Sequence, residues 1–271
     1  MIEQTPRRAR GLRRLSWIAV LALGVVSYVV VLEVMVSTRN LNFFPSLLLI
    51  GAVTVPLTVL VFAENGGRRI PAPGWTVAGT AIAGGIVGTV TAGVLEYRSE
   101  QQLGAAAMLL VGFIEEGAKL VVPLVVVLLA RPRDPRAGIV IGIASGTGFA
   151  VLETMGYGFQ ELLRAQDVAA VHQELLLRAL LSPAGHVAWT GFTVAALWRV
   201  PTAARRGRAL AALLGAYLAA VVLHTVWDVS GSLPVHVVVV VVSVAVLLVL
   251  VHRAHVSRGA EDRRAALAAG G

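Results

Sequence analysis

The sequence predicts an all-α, polytopic transmembrane bundle of about eight spans with both termini cytoplasmic. Three observations carry that expectation. Hydrophobic residues make up 57% of the 271 and charged residues only 14%. The apolar residues gather into runs long enough to cross ~30 Å of hydrocarbon, which a soluble domain of this length does not need. The arginines fall in short clusters between those runs, as they do in cytoplasmic loops.

The first run, residues 15–36, follows five arginines. It is longer than the apolar region of a signal peptide and has no clear small-x-small cleavage site, so it reads as an uncleaved first span. Further spans are expected at 43–63, 75–95, 104–130, 138–160, 175–198, 207–229 and 234–252. Eighteen of the 22 arginines then fall on one side, which assigns that side to the cytoplasm. Residues 1–12 read as a basic cytoplasmic tail, 13–253 as one integral membrane domain with its motif-bearing core at 104–230, and 254–271 as a disordered cytoplasmic tail.

The formal charge of +8 follows that loop pattern, so it implies a lipid bilayer rather than nucleic acid as partner. There is no cysteine, which removes disulfides, thiol nucleophiles and Cys-ligated metals. The Ala, Val, Gly and Arg bias, with a single lysine, suggests a high-GC bacterial genome; the expected location is the bacterial inner (plasma) membrane, as a multi-pass protein.

Spans one to three carry little chemistry. Glu33 reads as an interfacial side chain. Span three is rich in glycine (Gly79, Gly84, Gly85, Gly88, Gly93), and span five has Gly138, Gly142 and Gly146 at four-residue spacing; both stripes predict close helix packing. Residues 160–174, with Glu161, Arg164, Asp167, His172 and Glu174, read as an outer amphipathic loop or short interfacial helix.

Four polar clusters lie inside consecutive spans. Span four holds Glu115, Glu116 and Lys119. Span five holds Phe149, Glu153 and Tyr157. Span six holds Ser182, Pro183 and His186, and span seven holds His224 and Asp228. A charge at mid-bilayer costs ~2.5–3.5 kcal/mol on insertion scales, so such groups need partners or a purpose. Counted along each span, Glu115, Glu153, His186 and His224 lie ~8–17 Å below the outer end, so one outward-facing pocket can hold them. Pro123 deprives the Lys119 carbonyl of its helical partner, and Pro183 does the same to Ala179. Ser182 reads as a bond to its own helix rather than a nucleophile. A buried glutamate can take a proton from water, and Glu153 with the two imidazoles can orient water, hold an oxyanion or bind a metal. Taken singly, each group reads more simply as a helix–helix hydrogen bonder or a snorkelling side chain; the matched depth is what favours a site.

Glu115-Glu116-x-x-Lys119, Phe149-Ala150-x-x-Glu153-x-x-x-Tyr157, Pro183-x-x-His186 and His224-x-x-x-Asp228 resemble, in order and spacing, the PrsW family of bacterial membrane proteases. That family is grouped with the CAAX prenyl endopeptidases and the bacteriocin-immunity (Abi) proteins. Thr154 departs from the pattern, which commonly has Asn there. The resemblance implies a membrane-embedded endopeptidase of stress-response type acting at the outer side on a single-span substrate such as an anti-sigma factor. It implies catalytic Glu115, Glu116, Glu153, His186, His224 and Asp228, supported by Lys119, Phe149 and Tyr157. The metal set would be Glu153, His186 and His224 with Zn2+, or a glutamate-activated water without metal as argued for the CAAX relatives. Two other readings of the same residues are a proton- or ion-coupled transporter and a non-catalytic immunity-like membrane protein.

Overall fold

A computed structural model describes residues 12–67, 70, 72–130 and 134–269, with the backbone alone for 257–269. Among the described residues there is no strand. The α-helices are α1 (Ser16–Thr38), α2 (Phe44–Asn65), α3 (Gly74–Leu103), α4 (Met108–Ala130), α5 (Ala137–Ala165), α6 (Val168–Leu181), α7 (His186–Leu197), α8 (Arg206–Val229) and α9 (Leu233–Ala269). Most of the expected basic tail, 1–11, and the loop arginines 68, 69, 131 and 133 lie outside the described residues.

Among the described residues, five segments are long and apolar enough to cross a membrane: Ser16–Thr38, Leu41–Asn65, Ala137–Ala165, Arg206–Val229 and Leu233–Val256. Large apolar side chains such as Leu23, Val26, Leu128 and Leu129 stand exposed on the outside of the bundle, as a lipid solvent allows. The sixth expected span, 175–198, is not one helix. The chain forms α6, a 3-10 turn at Ser182–Ala184 and then α7, which has only 12 residues. Pro183 and Gly185 explain the break: proline withholds an amide, and Gly185 adopts a non-helical backbone (φ −106°, ψ −124°) as the N-cap of α7.

Of the two readings of residues 160–174, a short helix rather than a loop forms. α5 continues to Ala165, Gln166 turns the chain in the left-handed region at φ 52°, and the Asp167 side chain caps α6 by accepting from the Ala169 amide at 2.9 Å. At the other end α9 runs on to Ala269, where a disordered tail was expected from 254. The alanine-rich sequence after Gly259 is a good helix former, which accounts for the continuation.

α5 is the central helix, packed on α2, α3, α6 and α7 and buried along most of its length. Glycine makes that possible. A Cβ on Gly142 would stand 2.6 Å from the Thr190 carbonyl, and one on Gly146 would strike the His186 carbonyl. The four-residue stripe thus brings α7, and His186 with it, against α5. On the opposite side Gly84, Gly85 and Gly88 let α3 meet Ser145, Gly148 and Phe149, whereas Gly79 and Gly93 face open space. A second apolar cluster (Met35, Phe44, Leu47, Leu48, Val171, Leu175) seats α6 on α1 and α2. Tyr28 on α1 and His172 on α6 add a 2.9 Å hydrogen bond there.

Candidate active site

The polar residues of α4, α5, α7 and α8 converge on a single cluster. At its centre is Lys119, with no exposure at all. Its ammonium donates to Glu116 Oε1 at 2.7 Å and to His186 Nδ1 at 2.7 Å. It also lies 3.1 Å from Glu115 Oε2 and 4.3 Å from the centre of the Phe149 ring. A lysine buried in a membrane protein needs such partners on every side, because desolvation of the bare charge is costly.

Glu116 accepts from Lys119 and is 2.9 Å from His224 Nδ1. A carboxylate can only accept here, so His224 carries its proton on Nδ1 and turns Nε2 inward. That Nε2 stands 3.6 Å from Glu115 Oε2 and 3.3 Å from Asp228 Oδ2. Both oxygens are buried; Asp228 Oδ2 accepts no hydrogen bond, while Glu115 Oε2 is ion-paired with Lys119 at 3.1 Å. An imidazole lone pair facing two such oxygens calls for a proton or a cation between them.

His186 is the first residue of α7 and bridges the cluster. Its Nδ1 meets Lys119, and its Nε2 lies 2.7 Å from Glu153 Oε2. Trp189 packs edge-on to His186 at 5.8 Å and tilted over His224 at 4.9 Å, anchored by its Nε1 donating to Ser243 at 2.9 Å. The cavity these residues border, about 110 Å³, is lined by Glu153, Thr154, Tyr157, His186, His224 and Asp228 among others. All the residues singled out from the motifs therefore meet at this cluster or its cavity, including Phe149 and Tyr157.

The freed backbone groups are answered. Ser145 Oγ on α5 donates to the Lys119 carbonyl at 2.9 Å, the group that Pro123 leaves without its helical donor. Ser182 Oγ donates to the Ala179 carbonyl at 2.9 Å, which Pro183 leaves in the same state. Ser182 is thus tied to its own backbone, as expected.

Two residues outside the motifs join the site. Arg178 on α6 places Nη2 2.8 Å from Glu153 Oε2 and its guanidinium 3.8 Å over the Tyr157 ring. From sequence it reads only as a charge at a span boundary. Glu96 on α3 comes close enough to Glu115 for the two carboxylates to interact. Its signal is the symmetry of the α3–α4 hairpin: Glu96 lies eight residues before Gly104, and Glu115 eight after Ala107.

Glu115, His186 and His224 each offer a ligand atom within 4.8 Å of the others. One carboxylate and two imidazoles are residue types that bind zinc, and His186 joins such a set once Lys119 leaves its Nδ1 lone pair. The hydrogen bond from His224 Nδ1 to Glu116 is the outer-shell arrangement that orients a metal-bound imidazole. The expected metal set differs by one carboxylate: Glu115 groups with the imidazoles, while Glu153 sits between His186 and Arg178.

A family model described as PrsW family intramembrane metalloprotease matches residues 72–252. No curated protein and no solved structure matches the chain.

Proposed function

We infer that this chain, which belongs to the PrsW family of intramembrane metalloproteases, is an endopeptidase that cuts a single-span membrane protein at the outer side of the bacterial inner membrane. An anti-sigma factor is the substrate type the family resemblance suggests, within a stress response and within the wider CAAX protease and Abi grouping. The observation that carries the reading is the lone-pair convergence of Glu115 Oε2, Asp228 Oδ2 and His224 Nε2 beside the cavity. The arginine clusters, read as cytoplasmic loops, are what supports the outer placement. The α3–α4 turn at Gly104–Ala107 and the α8–α9 turn near 230–232 then share the outer end of the bundle, and the cavity lies toward it.

The roles divide by geometry. Glu116 holds Lys119 and His224 on its Oε1, so it positions both. Glu115 Oε2 pairs with Lys119 at 3.1 Å and faces the inward Nε2 of His224 at 3.6 Å, so of the pair we assign Glu115 as the group that takes a proton from water. His186 and His224 border the cavity and can polarise a peptide carbonyl there. Glu153 orients His186, and Asp228 faces His224. A zinc ion held by Glu115, His186 and His224 would supply Lewis acidity to the same carbonyl and water. A glutamate-only mechanism is favoured by a different observation: Lys119 already places a cation against His186 Nδ1 and Glu115 Oε2.

The test uses purified protein in detergent and a single-span reporter substrate, with chelator treatment and metal analysis on the same sample. Glu115→Gln and His186→Ala are expected to abolish cleavage while the protein still purifies folded. Retained cleavage in both would sink the assignment. Ion flux in proteoliposomes without any proteolysis would favour a transporter instead. Loss of activity on chelation, restored by zinc, would select the metal route.

A further inference from the structure

At the end of the bundle away from the candidate active site lies a second cavity, of about 180 Å³. Arginines from three separate elements reach it: Arg136 just before α5, Arg199 just after α7 and Arg253 on α9. Its apolar wall comes from Ile139, Ala195 and Leu250. We propose that this cavity binds the phosphate of an anionic phospholipid headgroup.

The chemistry matches. Each guanidinium carries five N–H donors in a planar fork, so an arginine already engaged by one carboxylate still presents donors to a phosphate. Arg136 is held in place by Asp134, with Nε at 2.8 Å and Nη2 at 2.7 Å. The Asp134 backbone is fixed in turn, because the Trp198 indole donates to its carbonyl at 3.1 Å. One guanidinium is therefore preset, while Arg199 and Arg253 stand exposed at the rim. The surroundings favour a lipid over a free ion. Exposed Val246 and Val249 lie on α9 seven and four residues before Arg253, on its face of the helix, an apolar track on which acyl chains can lie. Arginine pockets between helices at the headgroup level are known to take anionic lipids, each basic residue adding measurably to the attraction.

The full-length protein in neutral detergent is titrated with short-chain phosphatidylglycerol, phosphatidylcholine or inorganic phosphate, and bound ligand is read by native mass spectrometry. Phosphatidylglycerol is expected to bind at least tenfold more tightly than phosphatidylcholine. The exposed-rim double variant Arg199→Gln/Arg253→Gln keeps the Arg136–Asp134 pair, and in it that preference is expected to fall on the order of tenfold. A charge-matched control, Arg205→Gln/Arg206→Gln, is expected to leave binding unchanged. Saturation by inorganic phosphate with the same affinity would assign the site to the free ion and overturn the lipid assignment. Equal binding of the two lipids, or equal loss in the rim and control variants, would overturn the site itself. None of these readouts uses proteolysis, so the result is independent of the proposed activity.

Discussion

Replacing Lys119 with Met tests whether the buried ammonium holds the cluster together. Methionine nearly preserves volume, so the change removes charge rather than packing. The ammonium lies 2.7 Å from Glu116 and 3.1 Å from Glu115. At an effective dielectric of 20 each contact represents about 5–6 kcal/mol of raw attraction, from which the desolvation of Lys119 takes several. What truncation leaves behind is two adjacent buried carboxylates, with Glu116 retaining only His224. Breaking a buried pair in this way typically costs about 3–5 kcal/mol, and loss of the contact over Phe149 puts this case toward the upper end. Thermal or detergent-induced unfolding of the purified protein, followed by circular dichroism, measures it. The double variant Lys119→Met/Glu116→Gln removes the stranded charge as well and is expected to recover about half the loss. A single variant as stable as wild type, or a double variant no better than the single, would refute the argument.

Three further outcomes follow from named contacts. Ser145→Ala leaves the Lys119 carbonyl without a donor and is expected to cost about 1–3 kcal/mol, with Pro123→Ala in the same background restoring part of it by returning the helical amide; unfolding midpoints of both decide this. Gly148→Ala would drive its Cβ into the Ala81 carbonyl and is expected to destabilise by about 1–3 kcal/mol or more, whereas Gly93→Ala, in open space, should be neutral or stabilising by up to ~1 kcal/mol in the same unfolding assay. Arg178→Gln takes the guanidinium from Glu153 and Tyr157, leaving Glu153 to His186, and is expected to slow cleavage about tenfold or more, with Arg178→Lys recovering only part because it cannot reproduce the planar stack; reporter kinetics on folded variants check it.

Much of the site was legible because its residues are expensive where they lie. Glutamates, a lysine and histidines inside apolar runs announce themselves, and their depth can be counted along each helix. Pro123 and Pro183 likewise pointed to the Lys119 and Ala179 carbonyls, although not to Ser145, which reaches across from another helix. Other features depend on contacts that no local pattern encodes. Arg178 looked like an interfacial charge because its carboxylate partner, Glu153, sits 25 residues earlier on a different helix. Glu96 lay just beyond an expected span end, and only the hairpin places it beside Glu115. Hydropathy over 175–198 is continuous, so the average conceals the break at Ser182–Gly185 even though Pro183 and Gly185 mark it.

That break changes what the first two helices are for. The match to the family covers 72–252, so α1 and α2 carry none of its motifs. Yet α6, the stalk on whose far end His186 is presented, rests on them through Leu175, Val171 and the Tyr28–His172 bond. A chain trimmed to the matched residues would keep every motif and lose the seat of that stalk. The alignment of one imidazole is thus set partly by helices that contribute no chemistry, and exchanging them is a route to retuning the enzyme without touching its reacting groups.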